Sequence, residues 1–376
     1  MKFVVSSTEL LNHLQSVSRV ISSKNTLPIL DNFLFSMKGK QLEITASDLE
    51  STLITKLTLA NASDSGKIAI PARILTDTLK EFSDQPLTFE INADTHNVVI
   101  NSENGRFTIM GQNGDEFPQM PVLKEEKKVS IDVDAELLLS GILKTVFATA
   151  DDELRPVMNG IFIEMSPDDL TFVASDAHKL VRYKRTDGKS DGTASFILPK
   201  KPANLLKNIL PKQDSRVRIE FDEKNASFTL TDYTLVCRLV EGNYPSYNSV
   251  IPTENPNKLH IDRLEFYNTL RRVSVFSNQA SNLIKLQLKG NQITVSAQDI
   301  DFSISAYERL NCLYEGDDME IGFKSTFLIE ILSNLAATEV ILELSDPTRA
   351  GLILPAETSN ENEDVLMLLM PMMINV

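Results

Sequence analysis

Along this chain apolar positions recur with two periods, and the order in which those periods alternate is repeated three times. The runs Phe33-Leu34-Phe35-Ser36-Met37, Ile161-Phe162-Ile163-Glu164-Met165 and Leu286-Gln287-Leu288 predict strands. At the same distance after each comes a second alternating run, Leu42-Glu43-Ile44-Thr45, Leu170-Thr171-Phe172-Val173 or Ile293-Thr294-Val295-Ser296. These close on Ala46-Ser47-Asp48, Ala174-Ser175-Asp176 and Ala297-Gln298-Asp299, spaced by 128 and 123 residues. Similarity at a fixed spacing marks a chain built from tandem units.

Upstream of each strand pair, a short strand leads into a segment of helical period: Phe3-Val4-Val5 before 9–21, Val129-Ser130-Ile131 before 135–147, and Leu259-His260-Ile261 before 264–276. Each repeat then does this again, with Ile68-Ala69-Ile70 before 74–82, Phe196-Ile197-Leu198 before 203–210, and Ile321-Gly322-Phe323 before 327–335. The expected class is α+β, in three tandem copies, each made of two β-α-β-β-β halves. Polar, proline-containing joints run from Pro118 to Lys128 and from Pro252 to Lys258, which predicts domains over 1–122, 128–252 and 258–376. The helices have only their own sheets to bury their apolar stripes against, so all are expected on one side of a curved arc. Closure of such an arc on a second copy removes the exposed edge strands at its ends.

A length of 376 residues exceeds one ordinary core, and 42% apolar with 24% charged residues is a globular composition. The start, MKFVVSSTELL, lacks the apolar stretch of a signal peptide, and no run of about 18 apolar residues occurs, so no membrane span and a cytoplasmic location are expected. Cys237 and Cys312 stand 75 positions apart without metal-ligand spacing and are expected as buried, small apolar residues in a reducing compartment.

A formal charge of -15 argues against a protein that holds nucleic acid by affinity alone. The charge is unevenly placed, however. The six helical windows (7–24, 72–82, 134–149, 199–213, 262–276 and 324–336) together carry +5, which leaves about -20 for the remainder. Window 199–213 holds Lys200, Lys201, Lys207 and Lys212 with no acid among them. This placement does not by itself point to nucleic acid; it only fails to exclude it, since a chain that held a polyanion by topology would need few phosphate contacts.

No phosphate loop, zinc-protease helix or nucleophile elbow appears among these residues, so neither a catalytic residue, a cofactor nor a metal is expected. His13, His96 and His260 have no clustered partners. His178 follows Asp176 by two residues, but Asp176 belongs to the repeated A-x-D element, whose counterparts Asp48 and Asp299 lack such a histidine; a turn cap accounts for all three. The acidic groups Asp151-Asp152-Glu153 and Glu361-Asn362-Glu363-Asp364 read as solvated loop charge. The stretch Val365 to Ile374 is apolar on both faces, so part of it should be a last core strand, while its methionines around Pro371 form an adaptable surface suited to peptides.

With these pieces in place, the chain resembles the bacterial DNA polymerase III β subunits, the sliding clamps, over essentially its full length. The resemblance rests on Met1-Lys2-Phe3, Thr26-Leu27-Pro28-Ile29-Leu30, Ser47-Asp48-Leu49-Glu50, Pro71-Ala72-Arg73, and Arg155-Pro156-Val157-Met158-Asn159-Gly160. It continues in Ser175-Asp176-Ala177-His178-Lys179-Leu180, Glu241-Gly242-Asn243-Tyr244-Pro245, Met319-Glu320-Ile321-Gly322-Phe323 and Met370-Pro371-Met372. It implies a head-to-tail homodimeric ring of DNA clamp folds, with helices lining the hole and sheets outside, that encircles duplex DNA without reading sequence. The implied partners are the polymerase III alpha subunit, an ATP-driven clamp loader, other polymerases, ligase and mismatch repair proteins, each docking through a short motif rich in Gln, Leu and Phe.

Carried over residue by residue, the resemblance implies a pocket wall of Met158, Leu180, Pro245, Val250, Leu368 and Met370. It places Ser175, Ala177, His178 and Lys179 along one rim, with Arg155, Phe327, Pro371 and Met372 in a neighbouring subsite. It places Lys24, Arg73, Lys200, Lys201 and Lys207 toward DNA, and sets Phe107 of one copy against Val275 and Phe276 of the other. Lys179 stands where arginine is common in the family, and Met373 where a basic residue is frequent; both departures bear on motif preference at the rim. A secreted β-rich scaffold predicts a leader, and a hydrolase predicts clustered His, Asp or Ser; neither feature is found in this sequence.

Overall fold

The computed structural model describes the chain except for Glu125, Lys127, Gln213, Asp214, Ser359, Asn375 and Val376. The side chain of Lys212, counted above among the basic residues, also lies outside the described part. Six α-helices are present among the described residues: α1 (Ser7–Val17), α2 (Ala72–Lys80), α3 (Ala135–Thr145), α4 (Lys200–Ile209), α5 (Arg263–Ser274) and α6 (Ser325–Ser333). Each follows directly on a strand, as the alternation of periods predicts.

The switch from strand to helix is set locally. Ser6 accepts a hydrogen bond from the Glu9 amide at 3.2 Å, and Asp262 accepts one from the Glu265 amide at 2.7 Å. Both are cap residues followed three positions later by glutamate, which satisfies amides that have no partner inside the helix. The helices stop earlier than the apolar period does. After α1 the chain tightens into a 3-10 turn at Ser18–Val20, and after α3 into another at Val146–Ala148. There the amides of Ile21 and Thr149 reach the carbonyls of Ser18 and Val146, which occupies carbonyls a continued α-helix would have used differently.

Contacts divide the chain into two units, Met1–Leu139 with Asn204–Leu239, and Ser140–Ala203 with Val240–Val376, so the division falls inside α3 and α4. The first unit holds two antiparallel sheets. One has the order Asn61–Ser63, Lys2–Ser6, Pro86–Ile91, Asn97–Asn101, Arg106–Met110. In the other, the strands of residues 32–58 continue into Tyr233–Arg238, Asn225–Thr229, Arg216–Phe221 and Val129–Asp134. The joint is the pairing of Thr55 with Tyr233 and Ser51 with Cys237, so one sheet takes strands from two sequence repeats.

The second unit is built the same way. Strands Gly160–Met165, Leu170–Ser175 and Lys179–Arg185 continue into Glu363–Leu369, Gly351–Pro355, Glu339–Leu344 and Asn257–Asp262, the joint being Leu180 opposite Leu368. Its other sheet has the order Ile304–Asn311, Gln292–Asp299, Leu283–Lys289, Met319–Lys324. Gly141 lets α3 lie close to the sheet: a Cβ there would meet the Phe172 ring at 2.6 Å, which accounts for a residue that lowers helix propensity in mid-helix.

The repeated A-x-D element is a turn in all three copies. Asp48 accepts from the amides of Glu50 (3.0 Å) and Ser51 (2.7 Å), Asp176 from those of His178 (2.9 Å) and Lys179 (2.8 Å), and Asp299 from those of Asp301 (3.0 Å) and Phe302 (3.4 Å). Leu49 and Ala177 take left-handed φ values of 76° and 72°, which these Asp-anchored turns hold in place. Cys237 is buried, and that burial pushes its thiol up to about 12; Cys312, expected buried, is only half-buried at the turn after an edge strand.

Candidate functional site

The strands of the second unit converge on an apolar floor. Val173, Leu180, Leu352, Leu366 and Leu368 pack together with Ala350, all buried, and half-buried Phe162, Tyr244, Tyr247, Ile251 and Leu354 cover them. Leu180 and Leu368 sit opposite one another in the sheet, and Leu352 pairs with Leu368 in turn, so three adjacent strands present leucines side by side.

The segment after Val240 is clamped onto this floor by its tyrosines. Tyr244 stacks on Phe162 with ring centroids 4.9 Å apart and planes 6° from parallel. The Tyr247 hydroxyl donates to Glu164 at 3.0 Å; burial first, then the Glu164 carboxylate, push that phenol up to about 12. Pro245 lies between these anchors and Val250 three residues after the second, and both stay exposed, Val250 at 56%.

The turn at Ser175 to Lys179 forms the next side. Ala177 and His178 are exposed, whereas Ser175 is buried and donates its hydroxyl to the Lys179 carbonyl at 2.9 Å. Lys179, expected on the rim, is buried instead. Its ammonium lies 2.8 Å from Asp176 and 3.1 Å from Glu330, and 4.5 Å from the centroid of the Phe327 ring. A lysine leaves water only where such partners replace it. Phe327 is approached also by the Lys324 ammonium at 4.7 Å and by the His178 ring at 5.8 Å. The Asp176 carboxylate engages backbone amides and Lys179, and the His178 ring lies against Phe327, so the pair forms no catalytic dyad.

The C-terminal segment completes the site. Strand Glu363–Leu369 buries Val365 to Leu369, after which Met370 emerges at 42% exposure with its amide bonded to the His178 carbonyl at 2.8 Å. Strand pairing and the Met370 amide thus draw together Leu180, Leu368, the Ser175–Lys179 turn and Met370, ring contacts add Phe327, Pro371 and Met372 follow toward Gly322, and Pro245 and Val250 belong to the segment clamped beside the floor. Met158 ends a 3-10 turn, Pro156–Met158, that precedes strand Gly160–Met165. Arg155 is engaged by Asp152 at 2.8 Å, and among the described residues no hydrogen bond, ion pair or ring contact joins it to Phe327. Glu330 and Lys324 had not been singled out in the sequence; with Phe327 they recur at every third position, the spacing of one helical face.

Residues 1–121 match the N-terminal domain of the DNA polymerase III beta subunit family, residues 132–246 its central domain and residues 248–373 its C-terminal domain. The chain belongs to this family of sliding clamps. The beta sliding clamp of Pseudomonas aeruginosa is 29% identical over 374 residues, covering 99% of this chain and 100% of the relative, and that of Haemophilus influenzae is 29% identical over 96% and 97%. Among solved structures, the Pseudomonas aeruginosa clamp bound to griselimycin superposes with a TM-score of 0.93 at 27% identity, covering 100% of both chains. The Thermotoga maritima beta subunit does so at 0.90 and 26%, also over 100% of both. The sliding clamp is a non-catalytic processivity factor that acts on DNA with its polymerase. Among the described residues no helix is long and apolar enough to cross a membrane, and no group of three or more His, Cys, Asp or Glu is placed to hold a metal.

The cations expected toward DNA are all on or beside helices. Arg73 is in the first turn of α2, 3.8 Å from Asp77, and Lys200 and Lys201 open α4, with Lys207 in its last turn. Lys24 is exposed beyond the 3-10 turn that follows α1. Positive charge at a helix N-terminus opposes the helix dipole, so Arg73, Lys200 and Lys201 gain nothing from the dipoles of α2 and α4.

Proposed function

We propose that the chain works as a head-to-tail homodimeric ring around duplex DNA, its three domains spanning 1–122, 128–252 and 258–376. The observation that carries this is the strand-pairing rule. In each unit the last strand of one repeat's first half pairs with the last strand of the next repeat's second half: Ser51–Thr58 with Tyr233–Arg238, and Lys179–Arg185 with Glu363–Leu369. Two strands remain without their counterpart, Arg106–Met110 and Ile304–Asn311, each at a sheet edge. Pairing Arg106–Met110 of one copy with Ile304–Asn311 of another completes the rule at both joints of a closed dimer.

Apolar residues support the same joint. Phe107 is 38% exposed on the first edge, with its inner side packed edge-on against Phe82 at 5.3 Å. Val275 and Phe276 follow α5, which is tied to the other edge by Arg272 bonding both oxygens of Glu308 at 2.8 and 2.7 Å. Lys24, Arg73, Lys200, Lys201 and Lys207 supply phosphate contacts without reading bases. The floor of Leu180 and Leu368, with Met158, Pro245, Val250 and Met370 around it, takes the apolar side chains of short partner motifs; Ser175, Ala177 and His178 line one side and Arg155, Phe327, Pro371 and Met372 the adjoining subsite. Polymerases, the clamp loader, ligase and mismatch repair proteins compete there, in the cytoplasm at the nucleoid. Sedimentation equilibrium tests the ring: a mass twice the 42.0 kDa of the chain supports it, and a monomer at all micromolar concentrations overturns it.

A further inference from the structure

The last residues of the chain leave the larger sheet of the second unit at Leu369 and cross to its four-stranded sheet. They are tied at two points. The Met370 amide donates to the His178 carbonyl and the Met372 amide to the Gly322 carbonyl, both at 2.8 Å, while Pro371 between them has no amide hydrogen to give. Gly322 and Met372 form an antiparallel bridge on Met319–Lys324, an edge strand of the four-stranded sheet.

The residue beneath that bridge has no side chain, and the reason is space. A Cβ on Gly322 would stand 2.8 Å from the Met372 carbonyl oxygen, 2.9 Å from Ile374 Cγ1 and 3.0 Å from Leu283 Cδ1. The first of these is backbone and cannot rotate away. Gly322 is not among the residues with positive φ, so its backbone conformation would accept any side chain. Close approach, foremost of the tail's backbone and then of Leu283 on the neighbouring strand, is what requires glycine.

The geometry points to Gly322 as a positioning residue for the peptide pocket, an inference that rests on reading Met370, Pro371 and Met372 as part of its wall. The bare Cα seats the tail, Ile374 packs down over it, and the methionines are held where a peptide needs them before one arrives. Ordering a wall in advance spares the cost of ordering it on binding, and a wall that is in place only part of the time weakens apparent affinity by that fraction. Among the described residues beyond Pro371, the seat is held by one bridging amide bond and by half-buried Met372 and Ile374, so a methyl group added beneath the Met372 carbonyl is enough to lift it.

The test measures the affinity of a labelled synthetic peptide rich in Gln, Leu and Phe for the full-length protein and for Gly322→Ala, Ile374→Asp and Val250→Asp. Amide exchange at Met370 and Met372, melting temperature and solution mass are followed alongside. Gly322→Ala and Ile374→Asp should each raise the dissociation constant about tenfold. In both, Met372 should lose exchange protection while Met370 keeps it, with melting and mass unchanged. Should Gly322→Ala fail to fold, Ile374→Asp, at the end of the chain and outside the core, decides alone. The inference is overturned if either folded variant binds peptide as tightly as the parent, or if affinity falls while the Met372 amide stays protected. Val250→Asp separates the two levels: if it leaves affinity unchanged the pocket itself is misplaced, and if it abolishes binding while the other two variants bind normally only the role of Gly322 falls.

Discussion

The ammonium of Lys179 lies 3.1 Å from a carboxylate oxygen of Glu330, joining strand Lys179–Arg185 to helix α6 across the candidate peptide site. The same ammonium holds Asp176 at 2.8 Å. Burial is the largest single influence on the Asp176 carboxyl and pushes its pKa up. The bonds from the Lys179 ammonium and the Lys179 and His178 amides outweigh it together, so the carboxyl titrates below its ordinary value of 3.8. A depressed carboxyl adds stability that is present above pH 3.8 and lost as pH falls through the folded value. Lys179→Met should therefore lower stability near neutral pH by about 1–3 kcal/mol, with the gap between parent and variant narrowing below pH 3.8. Denaturant melts over a pH series check this; a gap that does not change with pH would remove the ion pair from the account.

Met370→Ala removes an exposed, adaptable side chain beside the Leu368 floor without touching either proposed joint. Peptide affinity measured by fluorescence anisotropy should weaken by roughly 1–3 kcal/mol while the solution mass stays that of the parent. Unchanged affinity would move the pocket elsewhere.

Much of this architecture was legible in the sequence because its signals are local. Period-two runs gave Phe33–Met37 its partner in Leu42–Thr45, and the change to helical period after Phe3-Val4-Val5 placed α1, which begins at Ser7 and not at Glu9. The A-x-D turns were readable because aspartate bonds the amides two and three residues on, whatever the rest of the fold does. What escaped depends on distant partners. Nothing near Thr55 announces that it will pair with Tyr233, so the sharing of sheets between repeats is invisible until the chain has folded. Lys179 reads as a surface cation, and only the approach of Glu330, far along the sequence, makes its burial tolerable. The tail's need for Gly322 is likewise a matter of approach in space.

Phe107→Asp places a carboxylate at the proposed joint while leaving the first unit's core intact, since the ring is already 38% exposed. The dimer should dissociate at least tenfold more readily, a cost of about 1.4 kcal/mol or more, seen as a concentration-dependent mass in sedimentation. A dimer of parental strength would place the joint on another surface.

Lys200→Ala with Lys201→Ala removes two of the cations that oppose the α4 dipole. Helix stability should be unchanged or slightly improved by a few tenths of a kcal/mol. Equilibrium binding of the unloaded protein to linear duplex, which rests on affinity, should lose about two units of salt dependence. Unchanged salt dependence would show that these lysines do not meet phosphate.

Topological retention is the central claim, and one measurement addresses it most directly. The protein is loaded on nicked circular DNA with a clamp loader and ATP, the DNA is then cut once at moderate salt, and the amount still bound is followed by gel filtration. The account predicts stable retention on circles and rapid loss from linear ends. Equal loss from circles and linear molecules after successful loading would contradict it, because a hold that depends on affinity does not distinguish a circle from a line.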